Sequence, residues 1–127
     1  FDLHAVTRLQ QLKTGALISF CLEAGAILGR IAPEGRHGLR GYARDVGLAF
    51  QIADDVLDAE GDAEVAGKAL QKDAEAGKAT FLSLLGIDRA KAQMYMLVDQ
   101  AVAHLHGFGK EADLLRAIAR YTVERDR

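Results

Sequence analysis

Little in this chain can cross-link it. Cys21 is the single cysteine among 127 residues, so no internal disulfide can form, and the expectation is a core cysteine in a protein of the cytoplasm. Proline is as scarce: Pro33 alone lies in the Arg30–Gly38 connection and marks the clearest break between helices. Neither sign of charge dominates. Sixteen Lys and Arg against eighteen Asp and Glu leave a net charge of −2, and no basic stripe interleaves with the aromatics, which make up 6% of residues. A nucleic-acid partner is therefore not expected. Low-complexity segments and internal repeats are missing. Long apolar runs are limited to residues 16–31, which Glu23 and Arg30 interrupt, so a buried soluble helix is expected there and no transmembrane segment. The two methionines, Met94 and Met96, fall late, and no targeting segment is read at Phe1, which suggests an incomplete chain.

What is present is apolar and helical. Half of the residues are hydrophobic, enough for a substantial core in one domain or part of a larger one. Apolar spacings of three and four recur and period-two alternation does not, which predicts an all-α fold. A first helical region spans about Leu3 to Leu28 and is interrupted near Gly15, with Gly25 and Gly29 forming an edge suited to close packing. A second covers roughly His37 to Glu60. A short helix is expected at Phe81–Leu85. A longer one starts near Asp88 as N-cap, buries Met94, Leu97, Val98, Ala101, Val102 and Leu105, and ends at Gly107. The last runs from about Glu111, with Leu114, Leu115, Ile118 and Tyr121 inward.

The segment from Gly47 to Asp58 is the most informative. At about 100° per residue, Gly47, Gln51, Asp54 and Asp58 share a narrow stripe with Asp55 at its margin, while apolar side chains fill most of the remaining circumference. Glu60 and Gly61 read as the helix end. The aspartates then lie near the negative pole of the helix dipole, each costing about 0.3–1 kcal/mol, and no Lys or Arg follows within a turn to offset them. A bare Asp-Asp-x-x-Asp is more often the solvated edge of an amphipathic helix. As a ligand set, its oxygen-only chemistry selects a hard cation such as Mg²⁺, held by one or two carboxylates with waters and substrate phosphate. The glycine-punctuated loop of an EF-hand and the His or Cys of a zinc site are both missing.

Two Gly-Lys pairs follow, Gly67-Lys68 and Gly77-Lys78, neither with the upstream glycine of a P-loop. Lysine is a sound point-charge partner for phosphate. Alternatively, Lys68, Lys72 and Lys78 simply balance Asp62, Glu64, Asp73 and Glu75 at the surface. His4, His37, His104 and His106 show no metal-ligand spacing, and no Ser-His-Asp or Cys-His nucleophile can be assembled.

The run from Gly47 to Asp58 resembles the second aspartate-rich motif of the trans-prenyl diphosphate synthases, the farnesyl and geranylgeranyl diphosphate synthase family. Lys13-Thr14-Gly15-Ala16-Leu17-Ile18 is similar to that family's Lys-Thr motif, and Gly77-Lys78-Ala79-Thr80 to its Gly-Lys-x-Thr. The order and spacing agree from about Lys13 to the C-terminus. Departures are Phe81-Leu82 where Tyr-Pro is frequent, and Leu12 where a basic residue is common. The family also carries a first aspartate-rich motif and diphosphate-binding arginines ahead of Lys13, yet Asp54-Asp55 is the sole Asp-Asp pair here. Residues 1–127 are thus expected to be the C-terminal half of an all-helical isoprenoid synthase bundle, inactive by themselves.

The resemblance implies a prenyltransferase that joins isopentenyl diphosphate to an allylic diphosphate, as a cytoplasmic homodimer using Mg²⁺ or, alternatively, Mn²⁺. Asp54, Asp55 and Asp58 would hold the metal. Lys13, Lys68 and Lys78 would neutralise the departing diphosphate in a water-poor cleft, Thr14 and Gln51 would turn oxygen dipoles toward the allylic cation, and Phe50 would add an aromatic face. The basic ending Arg125-Asp126-Arg127 resembles the tail that in many members closes over diphosphate; a solvated terminus is the plainer alternative. Two other readings are a non-catalytic regulatory subunit and a terpene cyclase or squalene-synthase-like enzyme. The complete set of carboxylates and lysines opposes the first, and the Lys-Thr and Gly-Lys-x-Thr motifs oppose the second.

Overall fold

The computed structural model describes residues 2–61 and 81–125. Among them every regular element is helical. Helix α1 (Leu3–Gln10) runs through a π-helical turn (Gln11–Gly15) into α2 (Ala16–Leu28), so the interruption expected near Gly15 is a widened turn within one rod. The long α3 (Pro33–Gly61) follows. Then come the short α4 (Phe81–Leu85), α5 (Ile87–Ala103), a 3₁₀ turn (Lys110–Ala112) and α6 (Asp113–Glu124).

Helix α3 is the axis around which the rest is arranged. Its 29 residues extend about 44 Å at about 1.5 Å per residue. Pro33 opens this helix rather than lying in a connection, since the first helical position needs no N–H. Leu39, Tyr42, Val46, Ala49, Ile52, Ala53 and Val56 are buried along it, in one cluster with Ala90, Met94, Leu97, Val98, Ala101 and Leu105 from α5 and its following turn. These positions repeat every three or four residues, so two helices share one apolar seam. Toward α6, Tyr42 Oη donates to the Leu115 carbonyl at 2.6 Å, and burial pushes the phenol up to about 12. Farther along, the buried Asp45 carboxylate meets His104 Nε2 at 3.2 Å.

Several boundaries differ from expectation for local reasons. Gly86, at φ +79°, caps α5, which leaves Asp88 inside the first turn where its charge favours the helix dipole. That helix stops at Ala103, before Gly107. Beyond that stop, Arg116 donates to the Leu105, Phe108 and Gly109 carbonyls, two of which also accept the Phe108 and Ala112 backbone N–H groups, and so ties down the turn that follows α5. Glu111 falls in the 3₁₀ turn, and α6 begins at Asp113.

The larger correction concerns burial. Ala26 is the one buried residue of α2, whereas Leu17, Phe20 and Ile27 are exposed and Leu28 is 84% exposed. Cys21 is exposed on the same helix, and an added Cβ at Gly25 would meet nothing within 4 Å. On α6, the side chains expected inward include Leu114, Ile118 and Tyr121, which are 72%, 45% and 65% exposed. Apolar patterning reports that a face needs cover, and no described element covers these faces. No helix among the described residues is long and apolar enough to cross a membrane.

Candidate active site

The acidic stripe lies at the C-terminal end of α3. Its first member, Gly47, is where the rod α1–α2 crosses: a Cβ added there would stand 3.3 Å from the Gly15 Cα and 3.8 Å from Ile18 Cδ1. A side chain would push the rod away, so glycine at 47 lets the Lys13-Thr14-Gly15 turn seat against α3. That turn is π-helical, a distortion that frequently occurs at functional positions. Gln51, Asp54 and Asp58 continue along α3, with Asp54 about 10 Å beyond Gly47.

Gln51, Asp54 and Asp55 are half-buried and Asp58 is exposed, while Val46, Ala49, Ile52, Ala53 and Val56 fill the opposite side. Phe50 and Thr14 are half-buried. Of Lys13 the backbone alone is described. Lys68, Lys72 and Lys78, with the whole of Gly77-Lys78-Ala79-Thr80, lie outside the described residues.

Sequence reasoning found no cation to offset the aspartates within the following turn. The structure supplies one to Asp54 from the other end of the chain. Arg125 Nη2 donates to Asp54 Oδ1 at 2.6 Å, and its guanidinium stands 4.7 Å from the centre of the Phe50 ring. Lys91 Nζ likewise pairs with Glu60 at 2.8 Å. Neither partner is visible in a local window, since Arg125 is 71 residues from Asp54. The one available signal was the basic composition of the chain's ending.

An apolar groove of about 450 Å³ opens beside this pair, lined by Ile18, Leu22, Val46, Phe50, Ile118 and Tyr121 among others. The site thus joins a charged end to a hydrocarbon wall. No three His, Cys, Asp or Glu among the described residues gather closely enough to hold a metal by themselves. The oxygen-only set of Asp54, Asp55 and Asp58 suits a cation that brings waters and substrate oxygens with it, as Mg²⁺ does.

The Polyprenyl synthetase family profile matches residues 2–121. A dimethylallyltranstransferase of Fischerella ambigua (strain UTEX 1903) is 42% identical over 98% of this chain and 36% of its own length. The farnesyl diphosphate synthase of Escherichia coli (strain K12) is 35% identical over 98% of this chain and 43% of its own. Among solved structures, the apo FPP/GFPP synthase of Zymomonas mobilis superimposes with a TM-score of 0.82 at 62% identity, covering 97% of this chain and 39% of that one. The chain therefore belongs to the polyprenyl synthetase family and has its all-helical fold. It spans about two-fifths of the length of these relatives.

Proposed function

We propose that this chain is the C-terminal portion of a trans-prenyl diphosphate synthase, which condenses isopentenyl diphosphate with an allylic diphosphate and works as a homodimer in the cytoplasm. One observation carries the reading: the Lys13-Thr14-Gly15 turn packs on α3 through Gly47, at the head of the stripe that leads to Asp54 and Asp58. A structural role does not require a lysine, a threonine and three aspartates around one helix face.

Asp54, Asp55 and Asp58 would hold a divalent cation, with Mg²⁺ as first choice and Mn²⁺ as second. When bound, that cation supplies Lewis-acid stabilisation to the departing diphosphate. Lys13, Lys68 and Lys78 add fixed positive charge toward the same group. Thr14 and Gln51 offer oxygen dipoles to the allylic cation left behind, and Phe50 offers its ring face. The neighbouring groove gives the hydrocarbon end an apolar wall.

The test is incorporation of labelled isopentenyl diphosphate by the full-length protein with dimethylallyl, geranyl or farnesyl diphosphate and Mg²⁺. Elongated prenyl diphosphates are expected. No elongation with any primer, or a cyclised product, would overturn the reading.

A further inference from the structure

Arg125 is firmly held although it lies just beyond α6. It leaves α6 in an extended conformation, yet its backbone N–H still donates to the Tyr121 carbonyl and its side chain folds back toward the helix. Nε donates to the Thr122 carbonyl at 3.1 Å, Nη2 donates to Asp54 Oδ1 at 2.6 Å, and the guanidinium lies over Phe50. The side chain is 12% exposed. Arg125 also falls outside the residues matched by the family profile.

We propose that Arg125 is a resident counter-ion of Asp54: it neutralises this carboxylate before any divalent cation arrives and competes with that cation for Oδ1. The inference rests on the reading of Asp54 as a metal ligand. An oxygen that accepts a charge-assisted bond at this length has its lone-pair density directed at the guanidinium, and a second cation at about 2.1 Å would face that positive charge across one small group. Displacement has somewhere to go, because Phe50 and the Thr122 carbonyl still hold the guanidinium when Asp54 is taken. The arginine therefore acts as a placeholder, keeping the end of α3 stable when empty and setting a threshold for metal entry.

The experiment is titration of the full-length protein with Mn²⁺, without diphosphate, with free ion followed by electron paramagnetic resonance, alongside melting in EDTA. Arg125→Gln is expected to tighten Mn²⁺ binding about tenfold, the worth of one charge-assisted bond, and to melt lower in EDTA. Arg125→Lys keeps the charge and should stay within about twofold of the parent, which tests the idea even if the glutamine variant folds poorly. Asp54→Asn should weaken binding, and adding Arg125→Gln to it should change nothing further. Unchanged or weaker binding in Arg125→Gln, equal tightening by Arg125→Lys, or the same tightening without Asp54 would overturn the counter-ion role while leaving the metal reading intact. Mn²⁺ binding indifferent to Asp54→Asn would overturn the metal reading and the inference together.

Discussion

Asp54 carries two demands that separate under mutation. Near the negative end of α3 its carboxylate is unfavourable by itself, and from the sequence its removal should cost folding nothing. Its pairing with Arg125 reverses that expectation, because Asp54→Ala strands a guanidinium that is 12% exposed. The loss is limited to about 1 kcal/mol, since the carboxylate side is open to solvent and Phe50 remains beneath the charge. Turnover should respond far more, by about 10²–10³-fold, if the carboxylate helps stabilise charge on a departing diphosphate. Melting in EDTA and steady-state turnover with Mg²⁺ measure the two effects. A variant that melts much lower yet turns over normally would make Asp54 structural.

Gly47 makes a complementary point. Its place at the head of the stripe was legible in the sequence, but its reason was not, because nothing in a one-dimensional pattern says that Gly15 passes 3.3 Å from where a Cβ would stand. The obstacle is backbone, which cannot rotate away. Gly47→Ala should therefore shift the rod by a few tenths of an ångström and destabilise by about 1–3 kcal/mol. Activity should fall further than stability alone explains, because the displaced turn carries Lys13 and Thr14. Calorimetry and kinetics on the same variant check both, and an alanine variant with parental melting and turnover would refute the close-contact role.

At the scale of elements, charge adds to apolar packing in joining α2 to α3. Glu23 of α2 accepts from Arg40 Nε at 2.9 Å and Nη2 at 2.8 Å, and from Arg36 Nη2 at 2.6 Å, both arginines lying on α3. These bonds, that from Arg40 foremost, hold the Glu23 carboxyl down to about 2 from its ordinary 4.5. A depressed acid stabilises above its unfolded value and loses that contribution as pH falls through its folded value. The bridge should thus be intact above pH 4.5 and lost toward pH 2. Glu23→Gln is expected to melt below the parent at neutral pH, with the gap narrowing across that interval and shrinking in high salt. A gap independent of pH would mean that packing, not charge, couples the two helices.

Helix existence was legible throughout: Leu3–Leu28 and Phe81–Leu85 agree with expectation, and the buried face of α5 followed from its spacing at Met94, Leu97, Val98 and Ala101, with Val102 half-buried instead. Ends were less legible. Arg116 supplies donors to the carbonyls after α5 from eleven and eight residues away, and a residue-by-residue search for caps has no access to such long side-chain reach. The site divides the same way. Gln51, Asp54 and Asp58 follow from helix periodicity, whereas the pairing of Asp54 with Arg125 depends on how α6 returns to the end of α3.

The whole molecule leaves an apolar surface that its own described elements do not cover. Leu17, Phe20, Ile27 and Leu28 on α2 and Leu114, Ile118 and Tyr121 on α6 are exposed. Between the two helices lies a second groove of about 250 Å³ that Leu22 and Leu115 share with the first. Scattered apolar side chains are ordinary on a protein surface, but seven large ones on two helices that line common grooves signal a missing neighbour. The solved Zymomonas mobilis synthase is matched over 39% of its length, so a relative of this fold has further chain available for such a role. If that is its purpose, residues 1–127 expressed alone should bind a hydrophobic dye and self-associate as concentration rises, whereas the full-length protein should do neither beyond the proposed dimer. The proposed Mg²⁺-dependent condensation should likewise be absent from residues 1–127 alone. Light scattering and dye fluorescence on the two proteins decide the matter. A 127-residue chain that stays a dye-silent monomer at high concentration would mean that the apolar surface on α2 and α6 is stable in water, and the half-bundle reading would have to be given up.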